Sequence, residues 1–387
     1  MKILIISANY PPSIGGPAAT VPVIATELVK LGNSVDVLTY GLKGYEDKKS
    51  NYNLIRAGIF DRTKDNIFSV LKLVFTLSSS IKKLCKNYEY DLIHCHDLNI
   101  SSLAVILSGV KIKKISKFTG DVAIEFYSKI KKARTTDITP EEFYNRKTLL
   151  KKLLLSLQKF IASKVDMITV PSLFIKNELM KYNNIDGGKI FLFRNGAEPV
   201  NAVEKRDKNK LFCALKLESK KNVDDAIRSL HFLRKNYRLV IAGNGNEESH
   251  LKELAKKEKL ENRVSFIGSI SHNEVIKHML SSFAFILPSI YEPASVSLYD
   301  AMTTRTPIIA TNIGGTPEIV TNLKEGFLVE PLHPEQIASG VKKLEDQFLY
   351  EEIQKNEMNT IKRFYWHEHI KNNLIPLYNK LISSKIN

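Results

Sequence analysis

Short, continuously apolar segments recur along this 387-residue chain, and most are followed by a stretch with helical spacing. They lie at 3–7, 35–39, 92–95, 168–170, 191–193, 212–215, 239–242, 264–267, 284–287 and 308–310. A strand that is apolar on both sides must be covered on both sides, which is the condition of a parallel sheet between helices. The alternation therefore fixes the class as α/β. The first repeat shows the pattern. Strand 3–7 leads through a Pro- and Gly-rich loop to Pro17 at a helix start, Gly32 closes the helix, and 35–39 returns as the next strand.

The length exceeds what one core fills. A polar, lysine-rich stretch at 198–210 separates two sets of strand–helix units and reads as a linker. The expected domains are 1–198 and 211–365, with a terminal segment 366–387 whose Ile370, Leu374, Leu377 and Leu381 have helical spacing.

Several classes are set aside. Segment 68–77 is interrupted by Lys72, and no longer apolar run suggests a membrane span. The first residues read as a strand, with no secretion signal, so a cytoplasmic protein is expected. Cys85, Cys95 and Cys213 are scattered and fit neither a disulfide framework nor a metal site. The formal charge of +16 favours anionic partners. No nucleic-acid motif accompanies it, and nucleic acid is not expected. Segment 147–164 mixes lysines with Leu149, Leu150, Leu153, Leu154, Leu157, Phe160 and Ile161. The expectation is a core-facing helix with a solvated basic face. The alternative is peripheral contact with an anionic membrane at its inner face, near a lipid-linked acceptor.

Open parallel sheets bind ligands beyond the carboxyl ends of their strands, and four loops there stand out. Gly15-Gly16 permits close backbone approach at a helix start. Lys216 and Lys221 flank a strand-to-helix turn and are spaced to reach one diphosphate. Glu292 lies in a turn that leads to Ser295, a candidate N-cap, and to Asp300 on the following helix. The fourth loop is Gly314-Gly315-Thr316-Pro317-Glu318.

Together these segments resemble the family 4 retaining glycosyltransferases, over nearly the whole length. The strongest part is 289–320. That family's E-x7-E motif appears as Glu292-x7-Asp300, followed by Ala301-Met302, the strand at 307–311 and the Gly-Gly-x-Pro-Glu turn. Tyr10-Pro11-Pro12, Asn195-Gly196, Gly243-Asn244-Gly245 and 325–329 fall in the family's order.

The resemblance implies two facing Rossmann-like domains (the GT-B arrangement) with a C-terminal helix returning to the first. It implies transfer of a sugar from a nucleotide-diphosphate sugar to an acceptor hydroxyl, in a glycan, glycolipid or polysaccharide precursor. It gives Gly16 an amide near the donor phosphates and gives Lys216 and Lys221 the diphosphate. Glu292 would hold the sugar hydroxyls, the amides near Ala294, Ser295 and Val296 the sugar and phosphate, and Asp300 the ribose. Gly15, Asn195, Gly243 and Pro293 complete the implied donor site. Three positions depart from the pattern: Lys216 replaces an arginine, Asp300 a glutamate, and Asp121 stands where many members carry a histidine. Asp121 is the implied substitute in orienting acceptor or sugar. His96 is read as structural. No Asp-x-Asp occurs, so no metal or other cofactor is expected. Rival readings are an epimerase or hydrolase of this architecture, and a nucleotide-sugar binding protein without turnover.

Overall fold

The computed structural model describes residues 1–13, 16–42, 46–47, 49–59, 67–118 and 149–383. They form two compact units that divide between Arg194 and Asn195 and again between Tyr365 and Trp366, so the chain's last segment belongs to the first unit.

The first unit holds a parallel sheet of β1 (Lys2–Ile6), β2 (Ser34–Gly41), β3 (Asn53–Ile59), β4 (Leu92–Cys95), β5 (Lys114–Lys117), β6 (Met167–Val170) and β7 (Ile190–Leu192). Their order is β3-β2-β1-β4-β5-β6-β7. Alternation along β1 divides its side chains between two cores. Ile3 and Ile5 pack with Val21, Ile24 and Leu28 of the Gly16–Lys30 helix and with Trp366, Ile370, Leu374 and Tyr378. Leu4 and Ile6 pack on the opposite face with Leu73, Leu77 and Ile81 of the Ile67–Asn87 helix and with Ala104 and Val105 of the Ile100–Ser108 helix. That helical layer continues with the Leu149–Lys164 helix, whose Ile161 and Ala162 pack near Ile168 of β6.

The returning segment runs through Trp366–His369, a wider turn at Ile370–Leu374, and Ile375–Ser383. Polar contacts fix it to the first unit. His94 Nδ1 shares a hydrogen bond with the Tyr378 hydroxyl (2.6 Å), and His369 lies 4.8 Å from Phe193 as a stacked ring. His96 is buried as well, with Nε2 at 3.0 Å from the Thr20 hydroxyl. Burial holds the His94 imidazole down to about 3, so it stays neutral.

The second unit repeats the plan with β8 (Asp207–Ala214), β9 (Arg238–Ala242), β10 (Val264–Phe266), β11 (Ser282–Leu287), β12 (Ile308–Thr311) and β13 (Gly326–Val329), in the order β10-β9-β8-β11-β12-β13. All its paired strands are parallel. Strand β8 begins inside the stretch expected to be a linker. Lys210 is buried there, donating to the Ser281 hydroxyl (2.8 Å), and Arg206 donates to the carbonyls of Ser282, Thr304 and Arg305 at 2.9, 2.6 and 2.7 Å. Long basic side chains satisfied by carbonyls at the helix ends are packed parts of the unit, although their composition reads as solvated.

Candidate active site

The strand order of the second unit reverses between β8 and β11, which are hydrogen-bonded neighbours. At such a reversal, successive connections leave toward opposite sides and open a crevice beyond the carboxyl ends. The two loops that begin there are 215–222 and 288–295. The backbone N–H of Ile290 donates to the carbonyl of Lys220 (2.9 Å), which ties one loop to the other. One residue past Lys220 and two past Ile290, Lys221 Nζ donates to Glu292 Oε2 at 2.6 Å. Ser289 Oγ donates to the same oxygen at 3.2 Å, and Oε1 accepts no hydrogen bond among the described residues. Glu292 is 4% exposed, so its charge is compensated mainly by Lys221.

Glycines let the neighbouring loops pass beneath this pair. A Cβ on Gly243 would lie 1.9 Å from the Leu215 carbonyl oxygen, and one on Gly245 would lie 2.1 Å from that of Leu217. The contacts they permit are backbone hydrogen bonds: Leu215 N–H to the Ala242 carbonyl (3.1 Å) and Leu217 N–H to the Asn244 carbonyl (2.9 Å). Gly314 has φ +57°, and a Cβ there would meet the Glu292 carbonyl oxygen at 2.2 Å. Gly315 N–H donates to that same carbonyl (2.9 Å), so the Gly-Gly turn after β12 supports Glu292 from below.

Ser295 occupies the N-cap position of the Val296–Thr303 helix, as expected. Its side chain makes no capping bond and instead pairs with the Ser297 hydroxyl at 2.8 Å. The helix start thus presents its amide dipoles without a side-chain cap. Asn195 Nδ2 donates to the Ala294 carbonyl at 3.4 Å, holding the turn between Glu292 and the helix. Asp300 is buried one turn further on and pairs with His272 Nε2 at 3.1 Å. The hydrogen bond to Asp300 raises the His272 pKa, against the opposing effect of burial.

Lys216 does not join the Lys221–Glu292 pair. It is exposed and forms an ion pair with Glu218, which also faces Lys220 Nζ at 3.2 Å. Burial pushes the Glu218 carboxyl up, but the two lysines outweigh it and hold the group below its ordinary value. In the first unit, Gly16 opens the Gly16–Lys30 helix and is exposed, with open space where a Cβ would stand. Gly15 and Asp121 lie outside the described residues. Pro293 lies in the Glu292 turn and is half-buried. Sequence reasoning gave no role to Ser289, which lies three residues before its partner Glu292, or to His272, whose partner Asp300 is distant in the chain. Glu218 sits between two lysines in the sequence, and that spacing was the available signal. Among the described residues no group of three or more His, Cys, Asp or Glu side chains is arranged to hold a metal. No described helix is long and apolar enough to cross a membrane.

Residues 197–360 match the family described as glycosyl transferases group 1, and residues 14–200 match glycosyltransferase family 4. The chain belongs to the family 4 glycosyltransferases. This glycosyltransferase is 27% identical over 401 residues to an uncharacterised glycosyltransferase of Methanocaldococcus jannaschii, with 98% of each chain covered. Its fold is the GT-B fold of sucrose-phosphate synthase from Thermosynechococcus elongatus (TM-score 0.81, 18% identity, 99% of this chain and 100% of that one). It is also similar in fold to Anabaena HepE in complex with UDP-glucose (TM-score 0.73, 16% identity, 98% and 100% covered).

Proposed function

We propose that this glycosyltransferase moves a sugar from a nucleotide-diphosphate sugar to an acceptor hydroxyl with retention at the anomeric carbon. The observation that carries the reading is the Lys221–Glu292 pair beside the start of the Val296–Thr303 helix. A cation, a carboxylate with one oxygen available and uncapped amide dipoles are what a sugar diphosphate needs around its scissile bond. The complex of Anabaena HepE with UDP-glucose supports a nucleotide sugar as donor on this fold.

In this reading the Val296–Thr303 helix start and Lys221 receive the diphosphate, and Glu292 accepts hydrogen bonds from hydroxyls of the transferred sugar. Asp300 takes the ribose hydroxyls. The acceptor oxygen attacks the anomeric carbon on the face from which the diphosphate departs. The bond from that carbon to the phosphate oxygen breaks through an oxocarbenium-like state, and the leaving phosphate takes the acceptor's proton. Lys221 and the amides stabilise the charge that grows on the leaving group. Lys216, exposed and paired with Glu218, would reach the diphosphate only by exchanging that partner. Gly16 and Asp121 are assigned to the donor phosphates and the acceptor by the family pattern. The acceptor is a glycan or lipid-linked hydroxyl compound, and no metal is required.

A thermal-shift screen against UDP, GDP and ADP with their common sugars identifies the donor. NMR of the product then reads the anomeric configuration, and an inverted centre removes the proposed mechanism. Turnover should persist in EDTA.

A further inference from the structure

The outer face of the first unit's helical layer is apolar and basic together. In the Ile67–Asn87 helix, Phe68, Leu71 and Phe75 are 79%, 44% and 59% exposed. In the Leu149–Lys164 helix, Leu149, Leu153, Leu157 and Phe160 are 74%, 59%, 45% and 46% exposed. Each set has the i, i+3/i+4 spacing of one helical stripe. The Ile100–Ser108 helix shares the layer and adds exposed Leu107.

The Leu149–Lys164 helix departs from an ordinary amphipathic helix. Lys151 and Gln158 are buried, as are Ile161 and Ala162, and Gln158 accepts from Asn183 at 2.6 Å, while Leu149, Leu153 and Leu157 face outward. Burying leucines inward and leaving the lysine and glutamine in water would be the arrangement of a surface that meets only solvent. The helix does face the core through Ile161 and Ala162 and does expose lysines, as expected, but its outer face carries leucines as well. None of the three helices contains an Asp or Glu. Lys72, Lys82, Lys83 and Lys86 are exposed on the first, and Lys152, Lys159 and Lys164 on the last.

We propose that this face docks on an anionic lipid bilayer, with the Phe and Leu stripes entering the headgroup boundary and the lysines meeting lipid phosphates. Two features favour a bilayer over a protein partner. The lysines are interleaved with the apolar stripes, whereas the centre of a protein interface is depleted in lysine. The apolar side chains are also spread over neighbouring helices with no central pocket-filling anchor. The docking surface rests on these exposures and on the charge of the three helices. Its use in presenting a lipid-linked acceptor rests on the transfer reading above.

The test is co-sedimentation of the full chain with phosphatidylcholine vesicles with and without phosphatidylglycerol, at low and high salt. Binding should require the anionic lipid and weaken with salt. The double variants Phe68→Ser/Phe75→Ser and Leu153→Ser/Leu157→Ser should each lower vesicle binding at least about tenfold. Their circular-dichroism melts, and donor turnover with a water-soluble acceptor, should stay at the wild-type level. Equal binding to both vesicle types, no binding to either, or a wild-type dimer that these variants convert to a monomer would each overturn the proposal. Loss of turnover in the wild type with intact vesicle binding would instead count against the transfer reading.

Discussion

Lys221 and Glu292, 71 residues apart in sequence, meet at 2.6 Å because their loops leave adjacent strands at the point where the strand order reverses. The pair is a product of topology. A one-sided loss at this position removes a charge from the diphosphate site and leaves Glu292 without its cation. Lys221→Ala is expected to lower the transfer rate by about 100- to 1,000-fold, the usual cost of losing one preorganised donor. A single cooperative melt should be retained. Near-normal steady-state rates would remove Lys221 from the mechanism.

The glycines beneath the pair make a steric prediction. Gly245→Ala places a methyl about where the Leu217 carbonyl oxygen sits, and Gly314→Ala adds a left-handed backbone to a similar clash. Each should destabilise the protein by about 1–3 kcal/mol or more, measured by urea denaturation. Gly16→Ala meets open space and should leave the denaturation midpoint nearly unchanged.

His272 gives a pH dependence. Its native pKa is raised, chiefly by the hydrogen bond to Asp300, with Glu198 adding to the effect. The stabilisation is therefore fully present below the unfolded imidazole's pKa and is lost as pH rises through the higher native value. His272→Gln should flatten the pH dependence of the melting temperature across that window. An unchanged profile would show that the pair does not contribute in solution.

Glu357 shifts stability in the same direction with pH, but for a different reason. It is fully buried, neither carboxylate oxygen has a hydrogen-bond partner among the described residues, and burial raises its pKa well above 4.5. The charge of Arg206 opposes that rise and that of Glu325 adds to it. The native carboxyl keeps a proton that the unfolded one releases, so wild-type stability falls as pH climbs above 4.5 toward the native value. Glu357→Met should be the more stable protein at pH 8, by about 1–3 kcal/mol, with the gap narrowing in acid. Equal denaturation midpoints at both pH values would contradict this.

The continuous apolar strands announced the two sheets, and their burial on both faces is the reason they could be read. Strands β3, β5 and β13 were absent from the apolar runs: β3 is a half-exposed edge, β5 reads Lys-Ile-Ser-Lys, with lysines in an interior strand, and β5 and β13 were met only through the family pattern. Burial holds the Lys117 ammonium down to about 8, an environment that composition does not reveal. The start of β8 was hidden in the same way, by Lys210. At the site, the Glu292 turn and the glycine turns were legible because tight backbone approaches restrict residue type. His272 was not, because it is an ordinary polar residue until the fold brings Asp300 to it; Glu218 and Ser289 have their partners two or three residues away, but a serine or a glutamate at such spacing occurs throughout the chain. The outward leucines of the Leu149–Lys164 helix were visible as letters, but their direction depended on what the buried side already held.

The loop that carries Lys216, Glu218 and Lys220 is anchored by peptide groups, through Leu215 and Leu217 to the segment at 242–244. Its place in space is therefore independent of the charges it displays. A lineage can exchange an arginine for Lys216 and retune the local field without moving Lys221, since geometry is inherited from the glycines and charge is left open to variation.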